Sequence, residues 1–424
     1  MRILVLGINY TPERTSVAPF TAGLCEHLAA TGNNVTVVTA FPYYPEWRVW
    51  DGYRGSLYRK ERINGVTVRR VAHYVPRKPS RLIERLAYDI SFAANCFVAA
   101  LFTGGCDIIY CSCPPPTVAL AAYLLGLIKG VPYVMKLTDL ASDAALATGI
   151  MKPGFVIRLA RIFEAFCCRK AQAVVCLCQG FIDRLKERGL NKEKLRLISD
   201  WGDTENLRPS EEGIAFRIAH RLSGNQFLVF HTGNMGKKQR LMNVVSAAKA
   251  SRNEPDLLWI VVGQGEERNL LEEEISRSDL ANIRILPLQP VELLPEMYAS
   301  ADLLLLNQAA AVEDAVIPSK LLTYMGAGRA VVAAVSEKSE AARQIRLANC
   351  GIIVPPENPE ALAEAVVSLR RDAELRRKLG ANARAFAEIH FTKAGVLRRY
   401  DEFFRDLRPA AEGVRVVRGE AESD

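Results

Sequence analysis

The stretch FLVFHTGNMGKKQRL, residues 227–241, decides how the chain is read. Residues 227–230 are an unbroken apolar run, as in a parallel strand buried on both faces. Gly233, Asn234, Met235 and Gly236 then spell a turn, and Lys237, Lys238 and Arg240 stand where a following helix opens. A strand that feeds a glycine turn into a helix start is a ready anion site. Unpaired backbone N–H groups and the positive end of the helix dipole converge on one point. The glycines admit close backbone approach, and a lysine adds a full charge, which is what a nucleotide diphosphate needs. A plain strand-to-helix loop with solvated lysines fits the same residues, and short Gly/Lys loops match often by chance. The rest of the chain has to decide.

Working outward, the same rhythm continues. Strand-like runs lie at residues 257–262, 283–288, 302–306, 330–335 and 351–354, with helical patterns between them. Toward the N-terminus, residues 2–9 form a first strand, 20–30 a helix and 35–40 a second strand, a βαβ unit and so a parallel sheet. The loop between strand and helix carries Thr15 and Ser16 at the strand's C-terminal end, where open α/β sheets bind ligands. Further strands are expected at 107–112, 131–137, 173–177 and 195–199. Helices are expected at 81–102, at the very apolar 118–128 (too short to span a bilayer comfortably) and at the amphipathic 152–170. Two doubly wound α/β domains of the Rossmann type, facing across a cleft, follow: residues 1–203 and 204–395. Residues 200–209 read as the linker, 396–410 as a C-terminal helix packing back on the first domain, and 411–424 as a disordered tail.

Composition agrees. The 424 residues are 49% hydrophobic and 24% charged, a folded globular balance. Residues 1–9 run straight into polar Asn9 and read as a strand rather than a signal core. The ten cysteines have no C-x-x-C spacing; Cys111/Cys113 and Cys176/Cys178 each share one strand face. They read as core residues in a reducing cytoplasm rather than as disulfides or metal ligands.

The net charge of +8 is uneven: residues 1–200 hold 26 Lys/Arg against 15 Asp/Glu, and the remainder 29 against 32. Residues 41–78 concentrate it. Aromatics and prolines give way to Arg54, Arg59, Lys60, Arg62, Arg69, Arg70, Arg77 and Lys78, around an Asn64-Gly65 hairpin signal. No nucleic-acid motif accompanies the patch, so nucleic acid is not expected as a partner and an anionic membrane surface is. Arg158, Arg161, Arg169 and Lys170, with Phe155, Leu159, Ile162 and Phe163 on the 152–170 helix, suggest partial insertion at that surface, against plain packing on the sheet.

Taken in order, NYTPERTSVAPFT, VVTAFPYYP, KLTDLASDAA, HTGNMGKKQ, VVGQGEE and VIPSKLLTYMGAGRAVVA resemble a known family across residues 1–405. This is the retaining GT-B glycosyltransferases of the large group-1 (family 4) type, and within it the colanic-acid and exopolysaccharide subgroup. The resemblance implies a donor site in the second domain. Lys238 pairs with the donor diphosphate, beside Gly233, Gly236 and Gln239. Asn234 stands where many relatives carry arginine. Gly263, Gln264 and Gly265 flank the pocket, and Leu288 and Pro290 meet the nucleobase. Pro318, Ser319, Lys320 and Leu321 form a turn whose amides meet phosphate and ribose. The family's paired glutamates align with Ala315 and Thr323, which leaves Glu313 and Asp314 as the nearest acids. In the first domain, Asp139 or Asp143 orients or deprotonates the acceptor hydroxyl, unless each only caps a helix, and Thr15 and Ser16 form an acceptor or phosphate loop.

The implied reaction is retaining transfer of a sugar from a nucleotide-diphosphate sugar, UDP ahead of GDP, to a lipid-linked saccharide in exopolysaccharide, capsule or O-antigen synthesis. It needs no metal and no cofactor beyond the nucleotide sugar as co-substrate. It places the protein on the inner face of the cytoplasmic membrane, with polysaccharide-assembly proteins as further partners. Two rivals stand beside it: a nucleotide-sugar 2-epimerase on the same fold, and a scaffold subunit that has lost catalysis.

Overall fold

The computed structural model describes residues 1–78, 81–147, 154–209, 213–310 and 319–407. The first sheet holds β1 (Arg2–Leu6), β2 (Asn34–Ala40), β3 (Tyr58–Ile63), β4 (Val66–Val71), β5 (Ile108–Cys113), β6 (Tyr133–Leu137), β7 (Ala173–Cys176) and β8 (Leu195–Leu197). Their order is β3-β4-β2-β1-β5-β6-β7-β8. Every pairing is parallel except the β3–β4 hairpin at the edge. Asn64 and Gly65 turn that hairpin with φ of 46° and 83°, the doubly left-handed geometry that an Asn-Gly pair adopts readily.

The second sheet is wholly parallel. It holds β9 (Phe227–Asn234), β10 (Leu257–Gln264), β11 (Ile283–Leu286), β12 (Leu303–Asn307), β13 (Val331–Ala334) and β14 (Gly351–Val354), in the order β11-β10-β9-β12-β13-β14. Both sheets reverse their strand order once, between β1 and β5 and between β9 and β12. The loops leaving the carboxyl ends at such a reversal diverge and open a crevice.

Helices cover both faces of each sheet, which is why the central strands are apolar throughout. On the first sheet, α1 (Ala18–Ala30) lies on one face. On the other lie α2 (Leu82–Leu101), α3 (Pro116–Lys129), α5 (Phe155–Lys170) and α6 (Gln179–Glu187), with the short α4 (Ala141–Ala147) following β6. The second domain adds α7 (Ile214–Ala219), α8 (Met242–Ala250), α9 (Arg268–Arg277), α10 (Leu294–Ser300), α11 (Ser319–Gly326), α12 (Glu340–Ala348), α13 (Pro359–Arg371) and α14 (Ala373–His390). The last helix, α15 (Lys393–Asp406), returns to the first sheet. Val396, Leu397, Tyr400, Phe403 and Phe404 complete the core that α1 begins. The Tyr400 hydroxyl lies 3.2 Å from that of Tyr110, and Asp401 lies 2.8 Å from His27 Nε2.

All ten cysteines are free and buried, and Cys111, Cys113, Cys176 and Cys178 lie in one core cluster. The basic stretch is less available than its composition suggests. Arg70 is fully buried, bonded to Glu61 and to the carbonyls of Thr11 and Ala40, so it fixes the loop after β1 instead of meeting a partner. The helix expected at 152–170 is α5, and its residues 152 and 153 lie outside the described residues, as do 408–424.

Candidate active site

The glycine loop after Phe230 differs from its sequence reading in one respect. β9 does not stop before Gly233: Gly233 and Asn234 pair with Gly263 and Gln264, carrying the strand two residues further. The helix α8 opens only at Met242. Lys237–Gln239 is instead a separate 3-10 turn, and Arg240, at φ 46°, breaks it from the helix. The two lysines therefore sit on a short turn ahead of the helix end.

That turn is pinned from below. Asn307, buried at the end of β12, donates to the Gln239 carbonyl at 2.6 Å and the Arg240 carbonyl at 3.1 Å, and accepts from Asn243 at 2.8 Å. The Ala309 N–H donates to the Lys238 carbonyl at 2.9 Å. A polar residue ending an otherwise apolar strand, LLLLN, was the signal for Asn307.

The second glycine turn is pressed against the first. A β-carbon on Gly263 would stand 1.8 Å from the Gly233 carbonyl oxygen, and one on Gly265 2.4 Å from the Met235 carbonyl. Glycine is required at both by contact, since real β-carbons do not approach so closely. Gln264 is exposed at the rim, and Leu288 is 60% exposed just beyond β11, an apolar side chain left open beside the crevice.

Beneath Gly233 runs a polar chain from buried His231 to the half-buried Lys320 and Gln239. His231 Nδ1 is 3.1 Å from the Leu305 carbonyl, which can only accept, so Nδ1 carries the proton and Nε2 the lone pair. Lys320 Nζ stands 3.2 Å from that Nε2 and 3.0 Å from Gln239 Oε1. Burial lowers His231 well below the ordinary histidine range, and Lys320 adds to the effect, so the imidazole is neutral. Ser319 is exposed, Leu321 is buried in the core, and Thr323 is half-buried on α11. Pro318, Glu313 and Asp314 lie outside the described residues.

Across the cleft, Asp139 follows β6 by two residues. Burial raises its carboxyl from 3.8 to about 6, while Lys238 and Arg85 draw it back. Lys238, from the loop after β9, thus acts electrostatically on the acid of the opposite domain. Arg85, on α2, was not singled out in the sequence; its i+4 spacing from Asp89 on a helix hides it as a surface pair. Asp143 is placed otherwise. Its buried carboxylate meets Arg161 at 2.9 Å, Arg184 at 3.1 Å and Arg188, and Arg188 also meets Glu164 at 2.8 Å. Both oxygens are taken, so Asp143 ties α4, α5 and α6 together. Thr15 and Ser16 are exposed ahead of α1, whose N-terminus has no side-chain cap. Neighbouring Arg14 reaches Glu292 of the second domain at 3.9 Å, so the loop faces the cleft.

Two family models divide the chain between them: "Glycosyl transferase 4-like domain" over residues 15–201 and "Glycosyl transferases group 1" over residues 214–386. WcaI of Escherichia coli (strain K12), named as a colanic acid biosynthesis glycosyl transferase, is 32% identical over 96% of this chain and all of its own length. The chain belongs to the group-1 glycosyltransferases. Among solved structures, Anabaena HepE in complex with UDP aligns with a TM-score of 0.70 at 18% identity, covering 96% of this chain and 100% of that one. WaaG, a glycosyltransferase involved in lipopolysaccharide biosynthesis, aligns at 0.68 and 18%, covering 95% and 99%. The fold of this glycosyltransferase is therefore GT-B. The strand reversal at β9/β12 puts the loop of Lys238 at the crevice of its second domain, and the reversal at β1/β5 puts the loop of Thr15 at that of the first.

Proposed function

We propose that the enzyme transfers a sugar, with retention, from a nucleotide-diphosphate sugar to a lipid-linked saccharide in exopolysaccharide or lipopolysaccharide synthesis. The observation that carries this reading is that Lys238 of the second domain lies close enough to Asp139 of the first to pull its carboxyl pKa down. One is a cation on a glycine-lined turn, the other an acid held near neutrality on the opposite wall. The second domain, residues 204–395, binds the donor. Lys238, the amides around Gly236 and those of Ser319–Leu321 take up the charge of the departing diphosphate, with no metal in the step. The first domain, residues 1–203, binds the acceptor. Asp139, ionised at neutral pH yet basic enough to hold a proton, orients and polarises the acceptor hydroxyl. The leaving diphosphate, on the same face of the sugar, accepts the proton as the new bond forms. UDP is the preferred nucleotide, in keeping with the UDP carried by HepE.

The membrane side of the reading is supported by α2, α3 and α5, neighbours on one face of the first sheet. They expose Ile83, Leu86 and Ile90, Leu127 and Ile128, and Phe155, Val156, Leu159 and Ile162. Arg158, Arg169 and Lys170 stand among them, as at an anionic lipid surface. No described helix is long and apolar enough to cross a membrane. The protein sits on the inner face of the membrane, beside other polysaccharide-assembly proteins.

Calorimetric titration with UDP and with GDP, for wild type and Lys238→Ala, tests the donor site. Binding of one nucleotide, weakened at least tenfold in the variant, is expected; no binding of either in a folded protein overturns the proposal. Turnover of the donor with no acceptor present would identify a 2-epimerase instead.

A further inference from the structure

An ammonium can donate three hydrogen bonds. Lys320 Nζ spends two, on His231 Nε2 and Gln239 Oε1, and among the described residues no carboxylate meets it. Nζ itself lies beside Gly233 of β9, since a β-carbon there would stand 3.4 Å from it. Gly233 has no side chain to cover it. The groups facing the ammonium among the described residues are the neutral His231 and the amide of Gln239. Glu313 and Asp314 precede it in the sequence, outside the described residues. Meanwhile the position that many relatives fill with arginine holds Asn234, which is exposed and uncharged.

We infer that the Lys320 side chain is the second cation of the donor diphosphate site, set behind Gly233 to supply the charge that Asn234 lacks. This rests on the donor reading above but goes beyond it, since that reading uses only the backbone of the Ser319–Leu321 turn. A half-buried cation that meets no carboxylate among the described residues has a physical consequence. Burial lowers Lys320 from 10.5 to about 7, so above neutrality it is largely uncharged in the empty enzyme. An arriving diphosphate favours the ammonium, so binding draws a proton from solvent. The proton goes to Nζ, its charge opposes the phosphate oxygens, and it leaves again when the nucleoside diphosphate departs.

The test is calorimetric titration of the full chain with UDP-glucose, whose diphosphate carries no group titrating near neutrality, in buffers of different ionisation enthalpy. At pH 8 wild type should take up about 0.9 proton per nucleotide bound, and affinity should fall about fivefold between pH 7 and pH 8. Lys320→Arg, charged at every pH used, should bind with no proton uptake and no such pH dependence. Lys320→Met should bind at least tenfold more weakly at pH 7. Wild-type binding without proton uptake, or full affinity in Lys320→Met while Lys238→Ala loses it, overturns the role of Lys320 and leaves the donor site standing. Absence of binding in wild type with both UDP-glucose and GDP-mannose overturns the donor site and this inference with it.

Discussion

Replacing Asp139 by Asn should stabilise the protein while disabling it. Burial holds the Asp139 carboxyl at about 6 rather than 3.8, against the pull of Lys238 and Arg85. A carboxyl whose folded pKa lies above its unfolded value binds protons more tightly when folded. Stability is therefore lost as pH rises from about 4 to about 6, and above that range the whole loss is present. The difference between 3.8 and about 6 corresponds to about 3 kcal/mol. Asp139 is partly exposed to the cleft, and screening brings the expectation to about 1–3 kcal/mol. Asn removes the charge and nearly keeps the shape. At pH 7 the variant should melt higher, by about 2–4 °C per kcal/mol for a domain of this size. Near pH 4, where both carry a neutral group, the gain should vanish. Transfer activity at pH 7 should fall by about 10²–10⁴-fold if the carboxylate handles the acceptor hydroxyl, and the wild-type rate should decline below about pH 6. Melting curves of both proteins at the two pH values, beside a transfer assay, give all of these quantities. A variant no more stable than wild type at pH 7, or stabilised equally at both pH values, refutes the account of a buried charge kept for chemistry.

Gly263→Ala would place a methyl 1.8 Å from the Gly233 carbonyl and push the donor loop out of place. It should weaken UDP binding by about 100-fold, whereas Gly224→Ala, in open space, should change binding not at all in the same titration. Asp143→Ala strips Arg161, Arg184 and Arg188 of a shared buried partner. Thermal unfolding should show a loss of about 3 kcal/mol, with UDP affinity intact in the protein that remains folded. Leu159→Glu with Ile162→Glu, on the exposed face of α5, should abolish flotation with anionic vesicles and leave UDP binding unaltered; co-flotation at the wild-type level would rule that face out as the lipid contact.

Much of the architecture was readable because parallel sheets buried on both faces leave unmistakable apolar runs, and because glycine and lysine punctuate the loops between them. The Asn64-Gly65 hairpin was readable for the same local reason. Less local features were not. That Gly233 and Asn234 stay in the strand depends on pairing with residues some thirty positions away. Asp139 and Asp143 look alike in the sequence, one helical turn apart. Only the fold brings three arginines from α5, α6 and the turn after it onto the second and leaves the first to the cleft. The eight basic residues of 54–78 read as one patch, yet Arg70 is consumed inside. Lys320 was visible as part of a turn. Its side chain acquires meaning only from His231, which belongs to a strand read as apolar.

The helix α15 carries a consequence for how such chains are made and exchanged. The wall that its aromatic residues complete belongs to the sheet that β1 begins. On a ribosome, the first domain emerges early but stays open on one side until residues 393–407 have followed the second domain out, so the domain that starts first is finished after the one behind it. For the same reason, two relatives cannot trade first domains by a single cut between the two sheets. The exchangeable unit is discontinuous: the front of the chain together with residues 393–407, recombined as a pair.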